Sequence, residues 1–505
     1  MDTKEESFES CMRAIDTFKS SDFIMVIFGG SGDLSQKKLI PTLYLLFKKK
    51  LISDFSILGF GLPEMDDREY RENIKKWIIS FKKEAFDEKV FEKFVKNFYY
   101  QGADAKDESS YKKLCQNISK LSKNKDDCNL IYYLAVPPIF FPVIVDNLSN
   151  KNLCRDRKNA KIIVEKPFGH DVKTAHTLNK KLLKAFNENQ IYRIDHYLGK
   201  ETVQNVFFFR FGNALFEPLW NRNFIDHVQI TVAEDIGIEN RAAFYEEASV
   251  IGDIVQNHIM QLIALVAMEP PANFEAESIR SERIKVLKSI KPLKTENIYD
   301  NIVLGQYDKG MIDGEEVNAY TDEKNVKKDS KTPTFFAGKF FVDNWRWANV
   351  PFYVRAGKRL KKRITEICIN FKYPPLRLLG HKCRDIESNS IMFSIFPKQK
   401  IELRFNVKFP GMENVPYPVD MMFDYKDVFK VDYPLAYERI LIDAMKSDIT
   451  LFAREDGIEA MWNIVDPIKK AFEKDKKIFK YKAGSTGPKE AKDLIEKDKR
   501  NWMGF

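Results

Sequence analysis

Residues 23–50 constrain the fold more than any other stretch. Phe23 to Phe28 is an unbroken apolar run, too short for a buried helix and without the alternation of a half-exposed strand. Such a run suits a parallel strand covered on both faces. It meets Gly29-Gly30-Ser31-Gly32-Asp33-Leu34, and a helical stretch follows from Ser35 to Lys50. Strand, glycine turn and helix, in that order, is the context of a nucleotide-binding fingerprint. Glycines let the backbone come close to a pyrophosphate, and the helix N-terminus offers N–H donors. The turn departs from the plain GxGxxG form, so an ordinary tight strand-to-helix turn is the competing reading.

The next segments extend the same pattern. Phe55 to Phe60 predicts a second strand, followed by Gly61-Leu62-Pro63-Glu64. In a dinucleotide fold this point reads the adenosine ribose: an acid holds its hydroxyls, and an arginine accommodates a 2′-phosphate. Leu62 does neither, while Glu64, Asp66 and Arg68 lie close by in sequence. Helical periodicity covers Arg68–Phe98 and Ser109–Lys123. Leu130–Val136 and Lys161–Val164 predict further buried strands, the second ending in Glu165-Lys166-Pro167-Phe168-Gly169. A lysine at the mouth of a parallel strand faces the ligand crevice, and Lys166-Pro167 invites a cis bond or a rigid turn. A short strand is expected over Gln190–Ile194.

Beyond residue 198 the pattern changes. His227–Glu234 alternates like a strand of an antiparallel sheet. Tyr245–Met268 reads as one long helix, and it encloses Asp253 and Gln256-Asn257-His258. Polar groups in so apolar a helix are costly unless paired, so His258 needs a structural partner or a task. Residues 308–333 read as a long surface loop. Ile391–Phe396 and Lys400–Val407 predict strands, and Tyr437–Lys446 and Gly457–Lys470 predict helices. Residues 1–20 read as a short amphipathic N-terminal extension, 21–197 as a Rossmann-like domain, and 198–505 as a second domain.

Composition narrows the function. The 505 residues carry 82 basic and 73 acidic side chains, a net charge of +9. The charges are interspersed, which favours small anions and gives no basic stripe for nucleic acid. Six scattered cysteines show neither a zinc-ligand spacing nor a disulfide framework, so reduced thiols, no metal and a cytoplasmic setting are expected. A leader peptide and a run of about 18 apolar residues are both lacking, so no membrane partner is expected.

The most telling stretch is Arg193-Ile194-Asp195-His196-Tyr197-Leu198-Gly199-Lys200-Glu201. A helix starting near Tyr197 would place His196 and Lys200 on one face beside its N-terminus, which suits a phosphate. Together with Gly29–Leu34, Glu165–Gly169, Gln256–Gln261, Gly357–Leu360, Tyr437-Glu438-Arg439 and Gly484-Ser485-Thr486-Gly487-Pro488, this stretch closely resembles glucose-6-phosphate dehydrogenases. The likeness runs in family order over nearly all of the chain after about residue 20.

The resemblance implies a cofactor-binding α/β domain followed by an α+β domain with a broad, mostly antiparallel sheet. It implies oxidation of the C1 hydroxyl of glucose 6-phosphate to 6-phosphoglucono-1,5-lactone, the first oxidative step of the pentose phosphate pathway, without metal and as a homo-oligomer (dimer or tetramer). It assigns His258 as general base with Asp195 orienting it. Substrate binding falls to His196, Tyr197 and Lys200 at the phosphate, Lys166 near the sugar, and Glu234, Asp253, Lys358, Arg363 and Lys38. Gly29, Gly30, Ser31, Gly32, Asp33, Leu34, Leu62, Tyr133 and Lys166 fall on the cofactor side. Leu62 stands where the family commonly has an arginine for the 2′-phosphate of NADP. NADP is therefore expected with weakened discrimination, leaving NAD open, and Arg68 is the candidate substitute. A different sugar oxidoreductase, or a basic nucleic-acid-binding protein on a dehydrogenase fold, would lack the Arg193–Glu201 stretch or its base.

Overall fold

The computed structural model describes residues 22–122, 129–151, 153, 159–375, 386–430 and 433–505. The expected N-terminal extension over 1–20 lies outside the described residues. The chain divides into two compact units.

The first unit is built on a six-stranded parallel sheet of β1 (Phe23–Phe28), β2 (Phe55–Gly61), β3 (Phe98–Gly102), β4 (Asn129–Leu134), β5 (Ala160–Val164) and β6 (Ile191–Arg193). Their order is β3-β2-β1-β4-β5-β6, all in parallel pairs. Every residue of β1 is buried, as a strand covered on both faces requires. Helix Ile40–Lys48 lays Ile40, Leu43, Tyr44 and Leu46 into the core beside it.

Two expectations change here. Phe98, read as the last residue of a helical stretch, opens the edge strand β3, its register set by β2. The helical period stops at Val95, and the aromatic run Phe98-Tyr99-Tyr100 fits a pleated surface. Residues 434–455, grouped by sequence with the second domain, belong to the first unit. Helix Ala436–Lys446 is tied there by local bonds. Lys161 Nζ donates to Ala444 O at 2.9 Å, Asn129 Nδ2 donates to Met445 O at 3.1 Å, and Lys49 pairs with the buried Glu438 at 2.9 Å. Desolvation lowers the Lys161 ammonium to about 8.

The second unit carries a nine-stranded sheet. Its strands are β7 (Ile225–Ala233), β8 (Ile302–Asp308), β11 (Phe335–Phe341), β12 (Pro351–Gly357), β13 (Ile364–Phe371), β14 (Ser390–Phe396), β15 (Lys400–Lys408), β16 (Pro416–Asp424) and β17 (Phe479–Lys482). A small hairpin, β9 (Gly310–Ile312) with β10 (Glu315–Val317), stands apart. The sheet order is β16-β15-β14-β13-β7-β12-β11-β8-β17. Most pairs are antiparallel, but β7 runs parallel to β12 and β8 to β17. The hairpin replaces part of the surface loop expected over 308–333. Its turn falls at Asp313 and Gly314, both with positive φ, as a tight hairpin demands.

The long helix of this unit is not one uniform helix. Helix Ala242–Val250 is broken at Ser249 (φ 53°, ψ −175°). A wide π-type segment, Ile251–Ile259, follows before helix Met260–Ala267. Length and composition alone would let 242–267 cross a membrane, but its most apolar window is wholly buried inside the unit. It is a core element.

Candidate active site

The residues singled out by sequence fall in both units, and each unit presents its own set.

In the first unit the glycine turn closes on itself. Gly29 N–H donates to Phe60 O at 2.7 Å, Gly30 N–H to the same oxygen at 3.3 Å, and Gly32 N–H to Gly29 O at 2.8 Å. The glycines therefore act through shape, and their N–H groups are already engaged. A Cβ on Gly29 (φ +81°) would lie 2.4 Å from Ala135 O, and one on Gly30 would lie 2.6 Å from Gly59 Cα. Both clashes are with backbone, so only glycine fits against β2 and β4, and the turn has the close-packed form that a dinucleotide needs. Ser31 Oγ donates to Leu62 O at 2.6 Å, which joins the turn to the end of β2. Leu62 itself is exposed. Arg68 points its guanidinium at Glu72, 3.2 Å away on the same helix. Asp33 and Lys37 form an exposed pair at 2.6 Å, Lys38 is exposed, and Leu34 caps the helical segment with no side-chain hydrogen bond.

At the far side of this sheet, β5 ends in Glu165 and Lys166, and the Lys166-Pro167 bond is cis, as the sequence invites. One Glu165 oxygen accepts from Tyr133 Oη at 2.5 Å and from Tyr437 Oη at 3.1 Å. Burial raises the Glu165 carboxyl above its ordinary value. Tyr437 in turn stacks on His196, with ring centroids 6.3 Å apart at 18°. Tyr133, assigned to the cofactor, thus has its hydroxyl committed to the residue beside Lys166. The Glu165–Tyr437–His196 chain is a link that sequence reasoning missed. Its signal was present in the two motifs that carry Glu165 and Tyr437, but only folding brings them together.

Arg193, fully buried, anchors the turn that follows. Its Nη1 meets Glu188 at 2.8 Å, and its main chain pairs with Ala453. Asp195, 1% exposed, accepts the Tyr197 N–H at 2.9 Å through Oδ1. The next helix starts at Glu201 with Lys200 at its N-cap, not near Tyr197. Residues 196–199 are a turn, so His196 and Lys200 do not share a helical face. Gly199 explains part of this, because a Cβ there would sit 2.8 Å from Ala436 O.

In the second unit most of the set is buried. Asp253, Gln256, Asn257 and His258 all lie inside the wide segment 251–259. Arg241 approaches Asp253 at 3.9 Å. Lys358, fully buried, forms a short ion pair with Glu234, and a buried charge needs such a partner. Main-chain bonds clamp both: Glu234 N–H donates to Gly357 O, and Leu360 N–H to Glu234 O, each at 2.9 Å. Tyr481 Oη donates to Lys358 O at 2.6 Å. Gly484 N–H donates to Arg359 O at 2.8 Å, and Lys361 N–H to Ser485 O at 2.9 Å, so the Gly484–Pro488 motif is a brace for Lys358. Arg363 is exposed, its guanidinium 4.7 Å from the centre of the Phe396 ring. Tyr245, not singled out by sequence for any role, is fully buried, and its hydroxyl has no hydrogen-bond partner. Leaving a buried hydroxyl unpaired costs about 1–3 kcal/mol.

A parallel sheet of this order, opened by a glycine turn after β1, defines a dinucleotide-binding protein, and the companion unit with its buried His, Asp and Lys–Glu pair marks an enzyme. The family model of the glucose-6-phosphate dehydrogenase NAD binding domain matches residues 26–205, and that of the C-terminal domain matches residues 207–503. The chain belongs to the glucose-6-phosphate dehydrogenase family, and its first unit is a nicotinamide-dinucleotide-binding domain. It is 44% identical to a glucose-6-phosphate 1-dehydrogenase of Aggregatibacter actinomycetemcomitans, over 96% of this chain and 98% of that one. It is 39% identical to that of Bacillus subtilis, over 95% and 98%. Among solved structures, a glucose-6-phosphate dehydrogenase in complex with its substrate glucose-6-phosphate is similar at 32% identity and a TM-score of 0.88, covering 96% of this chain and 99% of that one.

Proposed function

We infer that this chain oxidises the C1 hydroxyl of glucose 6-phosphate to 6-phosphoglucono-1,5-lactone. The observation that carries this reading is the presence in one unit of buried His258 and Asp253 and of the Lys358–Glu234 pair, in a chain that the two family domains match over residues 26–205 and 207–503. When bound, the nicotinamide cofactor supplies the hydride acceptor, and the chain's own residues bind, orient and move the proton. His258 takes the C1–OH proton as general base, which is worth about 10²–10⁴ in rate. The neutral imidazole is the form that can accept this proton. Glu234 and Asp253 accept from sugar hydroxyls, and Lys358 pairs with Glu234. His196, Tyr197 and Lys200 are assigned to the phosphate.

The cofactor assignment is NADP with reduced selectivity over NAD. Leu62 is exposed where an arginine would grip the 2′-phosphate. Arg68 is the remaining cation nearby in sequence, and it leans on Glu72.

Homo-oligomerisation is part of the same reading. The edge strand β16 and the adjoining helix Tyr425–Phe429 leave Tyr417, Met421, Met422, Val428 and Phe429 exposed, an apolar surface of the kind that associates. Light scattering returning the mass of one chain at micromolar concentration would remove this part.

The test of function is initial rates of reduced-cofactor formation from glucose 6-phosphate, with NADP and NAD side by side. Turnover with both is expected. Leu62→Arg should shift the ratio of specificity constants toward NADP by about tenfold or more, the worth of one charge-assisted contact. No turnover with either cofactor would remove the enzymatic reading.

A further inference from the structure

Tyr245 lies on helix Ala242–Val250, just before the break at Ser249. Its ring has two close neighbours: Tyr320 is 6.3 Å away between centroids, and Lys358 Nζ is 5.5 Å from its centre. The side chain is inaccessible to solvent, yet the hydroxyl has no hydrogen-bond partner. The charges that act on it most strongly among the carboxylates are those of Asp253 and then Glu234. Phenylalanine would fill the same space without a buried unpaired hydroxyl, so the oxygen is explained by a partner that arrives from outside.

The surroundings limit that partner. Asp253 faces Arg241 and Glu234 faces Lys358, so the charges are already balanced, and the two carboxylates are left to accept hydrogen bonds from neutral hydroxyls. The group that fits is a ring hydroxyl of a sugar, which can donate to Asp253 or Glu234 and accept from Tyr245 at once.

We propose that the Tyr245 hydroxyl binds one ring hydroxyl of the sugar and is a specificity-determining residue of this enzyme. This rests on the reading of function given above. A site built to hydrogen-bond a substrate hydroxyl rejects the analogue that lacks it, so Tyr245 selects for the intact sugar.

The test is Tyr245→Phe, assayed with glucose 6-phosphate and with its 2-deoxy, 3-deoxy and 4-deoxy analogues, each keeping the C1 hydroxyl. With glucose 6-phosphate, kcat/KM should fall about tenfold to hundredfold, about 1.4 kcal/mol per decade. For one analogue the variant and the wild type should turn over equally, because the partner of the missing hydroxyl is already gone. The melting temperature of the free variant should stay level or rise. An unchanged kcat/KM, or an equal loss across all four sugars, would overturn the proposal; a lowered melting temperature with equal losses would assign Tyr245 to packing. Wild-type enzyme without turnover on glucose 6-phosphate would instead overturn the functional reading and this inference with it.

Discussion

The glycine turn of the first unit and the polar cluster of the second prepare for ligands in opposite ways. In the turn, the parts that admit no substitute are backbone: Gly29 and Gly30 have no room for a Cβ, while the charged side chains, Asp33 and Lys37, are exposed. In the cluster the reverse holds. Lys358, Asp253 and His258 are buried side chains, and the main chain at Lys358 is clamped by Tyr481 and the Gly484–Pro488 brace. An exposed ion pair contributes about 0–1 kcal/mol. Removing one partner of a buried pair leaves a charge stranded at about 3–5 kcal/mol. A dinucleotide is long and can be recognised by shape, whereas a reaction at one carbon needs groups held at fixed positions. The lesson is that the two units should fail differently under mutation.

The largest effect is expected at His258. His258→Asn should lower kcat by about 10²–10⁴ while the KM for the cofactor stays within a few-fold. A kcat within tenfold of wild type would place the base elsewhere and break the contrast. In the first unit, Gly30→Ala should destabilise the fold by about 3 kcal/mol, the upper end for forced overpacking, since its Cβ would lie 2.6 Å from the Gly59 backbone. Urea unfolding reads this directly, and a stability equal to wild type would mean that the turn can open to admit a side chain.

A buried carboxyl away from the glycine turn sharpens the comparison. Asp443 on helix Ala436–Lys446 is raised by burial from 3.8 to about 6, against the lowering effect of Arg439. The folded state therefore holds this proton more tightly than the unfolded chain, and stability is lost as pH rises from 3.8 to about 6 and levels off above. The shift sets a ceiling of about 3 kcal/mol, at 1.36 kcal/mol for each pKa unit. Asp443→Asn also gives up the 3.0 Å contact with Arg439. Melting curves should show the variant gaining about 1–2 kcal/mol on wild type across that window; a pH-independent difference would mean the carboxyl is ionised throughout. The smallest effect belongs to the turn's exposed pair, where Lys37→Ala should change stability by no more than about 0.5 kcal/mol.

Much of this was legible before folding, where the signal was local. β1, β5 and β14 follow their apolar runs to within a residue, because a strand covered on both faces is mostly apolar, with buried Lys161 in β5 and Ser394 in β14 as exceptions. The two π-type segments among the described residues, by contrast, fall on stretches that sequence reads as plain helix, one with Lys38 and one with Asp253 and His258. A single widened turn leaves no mark in the hydrophobic period. Phe98–Gly102 escaped notice because five residues after two helices are too short to show a period of their own.

By itself, the sequence determined the dinucleotide-binding order of the first unit, the family, and the identity of the groups available for chemistry, since each depends on residue type at short spacing. Tertiary structure alone decided that 434–455 packs with the first unit, that β7 is flanked by strands far from it in sequence, and that Glu165 gathers Tyr133 and Tyr437. It alone left the Tyr245 hydroxyl buried and unpaired. Those outcomes depend on which buried polar groups meet across long separations, and hydrogen-bond partners of that kind are assigned by packing and not by neighbours in the chain.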